Sequence, residues 1–268
     1  MLSQEEQIVI QTKKGTTGTS GARNAIVIRD LVKQFDDITA VNGLNLQIHA
    51  GEMFGFLGPN GAGKTTTINM LCGLLKPTSG SAQIAGFDIR QEPQKVKELI
   101  GVCPQEAAVF NFLTGMENLE LFGNLHGMDK QALKERAEEL VNQADFSKAA
   151  KRKTKGYSGG MLRQLNLMIA LISDPQIVFL DEPTVGMDAR ARRRTWDYIA
   201  SLKDQGKTVI LTTHYIEEAQ ALSDRVGIID YGELIALGTP DELIKEHQVR
   251  DLEAVFLEIT GRRIAEGS

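Results

Sequence analysis

Cysteine is scarce: Cys72 and Cys103 are the only two in 268 residues. Both sit in apolar stretches, which predicts small buried hydrophobes, argues against a disulfide framework and points to a reducing cytosol. Long hydrophobic runs are lacking too. Residues 168–172, 177–180 and 226–229 fall far short of the ~18–20 residues a membrane helix needs. The chain is therefore not expected to span a membrane, although it can dock onto something that does. Surplus positive charge is also missing: 30 Lys and Arg face 35 Asp and Glu, a net charge of −5. Nucleic-acid binding gains no support from that balance. The opening stretch MLSQEEQIVI carries two glutamates and no basic region before an apolar core, so it does not read as a signal peptide. No internal repeat is visible. What remains, 42% hydrophobic and 24% charged residues, is ordinary for a globular chain of one large or two small domains.

The most specific feature present is GPNGAGKTT at 58–66: Gly58, Pro59, Asn60, Gly61, Ala62, Gly63, Lys64, Thr65 and Thr66. Residues 58–65 satisfy G-x-x-x-x-G-K-[ST], the pattern of a phosphate-cradling loop. Its glycines let successive N–H groups turn toward an anion, because a Cβ would block the loop's angles and the close approach. Lys64 adds a cation for the β- and γ-phosphates, and the Thr65 hydroxyl is placed to hold Mg²⁺. The following helix points its positive end at the same spot. Four fixed positions match by chance in roughly 1% of chains of this length, so context decides. Residues 52–57 form a short buried-strand run, and 65–75 place Ile68, Met70, Leu71, Leu74 and Leu75 at helical spacing. Strand, loop, helix is the order the motif requires.

Residues 11–24 are rich in Gly, Thr and Ser and lack periodicity, which predicts a flexible lead-in over 1–24. Strands are predicted at 25–30, 44–48, 52–57, 81–85 and 100–103, with turns at Asn42-Gly43 and 76–80. From 115 to 172 the reading is mostly helical, with helices at 116–126 and 130–144; Leu133, Ala137, Leu140 and Val141 share one face of the second. Alternation then resumes, with strands at 176–180, 207–212 and 225–230 and helices at 188–203 and 215–222. That pattern implies an α/β domain with a mostly parallel sheet. It spans 25–246, a helical block of about 106–172 is inserted in it, and 247–268 reads as a helical tail.

Residues 176–184, QIVFLDEPT, form an apolar strand ending in adjacent carboxylates. Burying Asp181 and Glu182 costs desolvation unless a cation is near. A metal-bound nucleotide supplies one: Asp181 would hold Mg²⁺ and Glu182 would polarise the attacking water. Together with the phosphate loop, these residues resemble the nucleotide-binding subunit of an ATP-binding-cassette (ABC) transporter. The resemblance covers roughly 26–261 and rests on further motifs in the family's order. Gln105 lies within VCPQE, the signature appears as YSGGM at 157–161 (usually Leu-Ser-Gly-Gly-Gln), VGMD at 185–188 contains Asp188, and His214 lies within LTTHY. Phe35 stands where the family usually carries an aromatic that stacks on adenine, though the residues alone leave a core role open.

The resemblance implies a P-loop NTPase fold of the ABC ATPase type, with a mostly parallel core sheet, an N-terminal antiparallel β subdomain and an inserted helical subdomain. It implies ATP and Mg²⁺ as cofactors. Glu182, His214, Gln105 and Lys64 would be catalytic, and Thr65, Gln105 and Asp181 would hold the metal. Phe35, residues 58–66, Ser158, Gly159, Gly160 and Asp188 would contact nucleotide. Residues 158–160 open a second anion-binding helix N-terminus, which in the family faces the partner's nucleotide. Two ATP molecules are thus implied between two such subunits, identical or paralogous. A separate transmembrane permease would hold the pair at the cytoplasmic face of the membrane, with no nucleic acid expected.

Met161 after Gly-Gly, Arg163 beyond it and the tail at 251–262 resemble the type-2 exporter branch, which handles drugs, polysaccharides and lipids. In that tail Leu252, Val255, Phe256 and Ile259 share a helical face, which packing on the domain would equally explain. Tyr157, Met161 and Val185 depart from the usual Leu, Gln and Ser or Thr, leaving 158–160 intact. After Gln105, the apolar cluster Val109, Phe110, Phe112 and Leu113 suits either a permease helix or packing within the helical block. Basic clusters at 148–155 and 190–194 are interleaved with no aromatic but the adjacent Trp196 and read as solvated surface. A soluble ABC-type ATPase on nucleic acid or ribosomes would usually bring a second cassette or a long coiled coil. A GTPase sharing only the phosphate loop would bring an Asn-Lys-x-Asp reader, and neither that nor a kinase would explain the signature and His214.

Overall fold

A computed structural model describes residues 24–106 and 108–261; the predicted lead-in before Asn24 and the tail beyond 261 lie outside the described residues. Two strands open the described chain, β1 (Asn24–Phe35) and β2 (Ile38–His49), paired antiparallel from Asn24↔His49 to Phe35↔Ile38. Both run farther than the predicted 25–30 and 44–48. Register shifts between Ile28 and Gln34 interrupt the apolar alternation by which a strand is recognised. With β4 (Ser79–Ile84) and β5 (Phe87–Asp88) they form a four-stranded antiparallel sheet in the order β2-β1-β4-β5.

The second sheet is six-stranded, in the order β10-β9-β3-β8-β7-β6. Its strands are β3 (Met53–Leu57), β6 (Ile100–Cys103), β7 (Ile177–Asp181), β8 (Thr208–Thr213), β9 (Arg225–Asp230) and β10 (Glu233–Gly238). All its pairings are parallel except β10 with β9. Every residue of β3, β7 and β8 is buried, as expected of strands covered on both faces. The two-residue period decides which layer each side chain joins. Phe54, Phe56, Ile177, Phe179 and Ile210 face the antiparallel sheet and helix α1 (Lys64–Leu71). Met53, Val178, Leu180, Val209 and Leu211 face the helical region.

Between α1 and that region comes α2 (Pro93–Leu99); the helical region itself holds α3 (Gly115–Leu125), α4 (Lys130–Gln143), α5 (Ser147–Ala150) and α6 (Gly159–Leu171). Thr114 starts α3 with a capping box: its hydroxyl accepts from Glu117 N at 3.1 Å, and the Glu117 carboxylate accepts from Thr114 N at 2.7 Å. Asp129 caps α4. Beyond β7 follow α7 (Ala189–Asp204), α8 (Ile216–Leu222), α9 (Pro240–His247) and α10 (Leu252–Thr260). The apolar face of α10 meets the sheet: Leu252, Val255 and Phe256 join Leu57, Ala219 and Val226 in one buried cluster.

The topology places the site. The carboxyl ends of β3, β6, β7 and β8 lie side by side, with Leu57↔Thr213, Asp181↔Thr212 and Cys103↔Leu180 in register. In open parallel sheets ligands bind at that edge.

Candidate nucleotide-binding site

The phosphate loop leaves β3 and is pinned on several sides. Gly58 N donates to Thr213 O at 3.3 Å, and Gly232 N, from the β9–β10 hairpin, donates to Ala62 O at 3.0 Å. Two of its glycines are sterically required. A Cβ on Gly58 would lie 2.3 Å from Ile229 O; Gly63 has φ +102°, and its Cβ would lie 2.3 Å from Ala40 O. The Lys64 ammonium is buried and folds over the loop, donating to Gly58 O at 2.7 Å and Pro59 O at 3.0 Å. It stands 4.0 Å from Glu182 Oε1. Burial lowers its pKa below the usual lysine range, against the upward pull of Glu182 and Asp181.

At the end of β7, Asp181 Oδ1 accepts from the Thr65 hydroxyl at 3.0 Å and from the Thr212 hydroxyl. Glu182 then turns into the left-handed region at φ 49°. Its N–H is held by both the carbonyl and the hydroxyl of Thr212 at 3.1 Å. A left-handed conformation at a residue with a side chain is costly and persists only where the surroundings over-determine it. Here it turns the carboxylate inward. Oε1 lies 3.0 Å from His214 Nδ1, and Oε2 accepts from Gln105 Nε2 at 3.3 Å. Burial pushes the carboxyl's pKa up, but the hydrogen bond and charge of His214, with Lys64 and Arg163, outweigh it and hold the group below the usual range.

Lys64, Thr65, Asp181, Glu182, Gln105 and His214 are therefore brought together. Ser158, Gly159, Gly160 and Asp188 are not: among the described residues no hydrogen bond or ion pair joins them to 58–66. They sit instead at two neighbouring helix starts. Ser158 caps α6 by accepting from Met161 N at 3.3 Å, and Asp188 caps α7 by accepting from Ala191 N at 2.8 Å. A Cβ on Gly160 would touch Met187 at 3.7 Å, so the two loops adjoin. Phe35 is at the surface, 42% exposed, with Lys33 Nζ 4.7 Å above its ring; the core alternative is thereby excluded. Phe110 and Phe112 are 54% and 77% exposed, so the cluster after Gln105 is not simply packed into the helical block. Both cysteines are buried and free.

Some members of the site are invisible to motif reading. Thr212 looks like an ordinary strand residue, yet its hydroxyl donates to the Asp181 carboxylate and accepts from the Glu182 N–H. Asn166 of α6 donates to Pro104 O at 3.0 Å, and Ala108 N donates to its Oδ1 at 3.3 Å, tying the Gln105 loop to the helix that follows the signature.

A protein-family model described as ABC transporter matches residues 41–185. The chain belongs to this family. It is an ATP-binding ABC ATPase, hydrolysing ATP for transport. Over 82% of the chain it is 46% identical to the daunorubicin/doxorubicin resistance ATP-binding protein DrrA of Streptomyces peucetius, covering 66% of that protein. Over 80% it is 42% identical to the linearmycin resistance ATP-binding protein LnrL of Bacillus subtilis, covering 69%; the chain thus spans about two thirds of the length of these relatives. A dimeric ATP-binding cassette in a post-hydrolysis state, bound to ADP and phosphate, superposes with TM-score 0.73 at 27% identity, over 80% of this chain and 98% of that one. An ATP-binding subunit of an ABC transporter superposes with TM-score 0.80 at 24% identity, over 88% and 99% respectively, which bears on fold alone. No helix among the described residues is long and apolar enough to cross a membrane.

Proposed function

We propose that this chain is the energy-coupling subunit of an exporter of drug-like or antibiotic compounds. It works as a nucleotide-sandwich dimer on a separate transmembrane permease, peripheral at the cytoplasmic face of the membrane. The observation that carries the reading is the convergence of Lys64, Asp181, Glu182, Gln105 and His214 from four adjacent strand ends on one phosphate loop. Likeness to the daunorubicin/doxorubicin and linearmycin resistance proteins supplies the substrate class. In this reading 25–246 is the ATPase domain, with about 106–172 its helical subdomain and 247–268 a helical tail, whose residues Leu252, Val255 and Phe256 pack on it.

Among the described residues no three His, Cys, Asp or Glu side chains gather as a protein-only metal site. The paired oxygens of Thr65 and Asp181, with the Gln105 amide nearby, instead fit Mg²⁺, which takes few protein ligands and shares phosphate oxygens. Bound there, Mg²⁺ would neutralise charge on those oxygens. Lys64 holds a fixed cation at the loop, and the loop N–H groups not already bonded within the fold hold the anion. Glu182, ionised and oriented by His214, accepts the proton of the attacking water. Phe35 offers its exposed ring to adenine. Ser158, Gly159, Gly160 and Asp188, at the starts of α6 and α7, face the nucleotide of the second subunit.

The test is Glu182→Gln with ATP and Mg²⁺. Slow hydrolysis and an ATP-dependent dimer on size-exclusion chromatography are expected, and adding Ser158→Arg should dissolve that dimer. Near-normal turnover by Glu182→Gln would refute the catalytic assignment. An ATP-dependent dimer that survives Ser158→Arg would refute the sandwich.

A further inference from the structure

The loop 182–188 leads into α7, and His214 leads into α8; one buried side chain outside the motifs touches both. Glu218 of α8 is 1% exposed. Its Oε1 accepts from the Thr184 hydroxyl at 2.6 Å and from the Trp196 indole N–H at 2.9 Å. Thr184, also buried, lies between Glu182 and Asp188, and Trp196 lies on α7 beyond Asp188. The outer side of the same assembly is aromatic and cationic. The Arg192 guanidinium is 5.9 Å from the Trp196 ring centroid and 5.4 Å from that of Tyr215. Tyr215 in turn lies 4.2 Å from the His214 ring, and Arg192 N donates to Asp188 O at 2.9 Å. The contacts thus run from His214 through Tyr215 and Arg192 to the start of α7, then back through Trp196 and Glu218 to α8.

We propose that Glu218 is a positioning residue for ATP hydrolysis, clamping α8 to Thr184 and Trp196 and so fixing both the His214–Glu182 contact and the placement of Asp188. This rests on the reading of Glu182 and His214 as the hydrolytic pair. Packing alone does not call for a carboxyl here. Burying one costs free energy that an apolar side chain of similar size avoids, and burial pushes this carboxyl above its usual range despite the hydrogen bonds of Thr184, Thr213 and Trp196 and the charge of His214. What the carboxyl supplies is a directed acceptor shared by two elements. Without it, a Thr hydroxyl and an indole N–H are left unpaired in the interior, and the segments bearing Glu182, Asp188 and His214 lose their common anchor.

Glu218→Ala is expected to lower kcat roughly 10–100-fold, since about 1 Å of misplacement at a reacting group costs on the order of 10²-fold. KM for ATP should stay within about twofold, because the phosphate loop is untouched and only interactions made in the transition state are lost. Glu218→Gln keeps the Oε1 acceptor and should recover kcat to within about threefold of wild type by the same reasoning. Trp196 is the only tryptophan, so its emission should shift to longer wavelength in Glu218→Ala and not in Glu218→Gln. A merely structural role would lower thermal stability and active fraction, so kcat is referred to active sites counted by stoichiometric ATP binding; per active site, a structural role leaves kcat at the wild-type value. Should Glu218→Ala fail to fold, Trp196→Phe with Thr184→Val removes the two donors that tie Glu218 to the 182–188 loop and α7, and should still lower kcat about tenfold or more. Wild-type kcat in a folded Glu218→Ala, or in that double variant, overturns the proposal. Glu182→Gln measured alongside separates the two failures: if it retains turnover, the hydrolytic reading falls and takes this one with it.

Discussion

Tyr157, where the family usually carries Leu, is expected to be a structural substitution with little effect on turnover. Its hydroxyl donates to Ala149 O at 2.6 Å, and its ring packs edge-on against Phe146, with centroids 5.6 Å apart at 78°. Leu would make neither contact. A neutral hydrogen bond is worth about 1 kcal/mol net, so Tyr157→Phe should destabilise by about that much. Tyr157→Leu also loses the aromatic pair, about another 1 kcal/mol. For a domain of this size each kcal/mol lowers Tm by roughly 2–4 °C, so the variants should melt about 2–4 °C and 4–8 °C below wild type. The Ser158 cap on Met161 N is untouched by either change, and steady-state ATPase rates should stay within about threefold, no transition-state contact having been removed. Thermal melts and turnover on the same preparations provide the assay. Equal stability of Tyr157→Phe and wild type, or a tenfold fall in turnover without unfolding, would refute the reasoning.

Other expectations follow from the same geometry. The backbone of Phe110 is held by Asn118 and Thr154 while its ring is about half exposed, so Phe110→Ala with Phe112→Ala should abolish co-purification with the proposed permease and leave basal ATPase within about twofold. Gly63→Ala should eliminate nucleotide binding, checked by ATP-dependent thermal shift, because the added methyl meets Ala40 O in a backbone region closed to alanine. Asp174 is held below the usual carboxylate range chiefly by its hydrogen bond to Lys207. Its folded pKa is depressed, so its contribution is present above the unfolded value and lost as pH falls through the folded one. Exposure keeps that contribution below about 1 kcal/mol, and urea melts of Asp174→Asn should differ from wild type at pH 7 and converge in acid.

The chemistry of the site was legible because each part sits in a short local pattern. The glycines and Lys64 announce an anion, and the apolar strand ending at Asp181 and Glu182 announces a charge that needs a cation. The spatial pairing was less legible. Nothing local says that Glu182 meets His214; that follows from β7 lying beside β8 with Asp181 opposite Thr212. For the same reason Thr212, Asn166 and Glu218 carry no signal of their own, each acting through a contact far along the chain. Helix α9 is different: the capping box of Thr239 and Glu242, with Pro240 at its first turn, is a local mark of a helix, and strand–helix alternation alone passes over it.

Lys64 shows how binding function and stability oppose one another at one residue. It is buried beside two carboxylates, yet burial is the larger influence on its pKa and the net shift is downward. A base with a depressed folded pKa binds protons more weakly in the folded chain than in the unfolded one. The charged form therefore works against folding at neutral pH, and that opposition is relieved as pH rises through the folded pKa toward the unfolded value. The two loop carbonyls it engages, Gly58 O and Pro59 O, offset the desolvation only in part. A triphosphate adds counter-charge beyond that of Glu182 and Asp181, so ligand binding stabilises the folded state by mass action. Lys64→Met, apolar and of similar length, is thus expected to leave the ligand-free Tm unchanged or raised, and to remove the Tm increase that ATP gives wild type. A substantially less stable ligand-free Lys64→Met protein would show that the lysine is held for structure, and this account of its burial would fail.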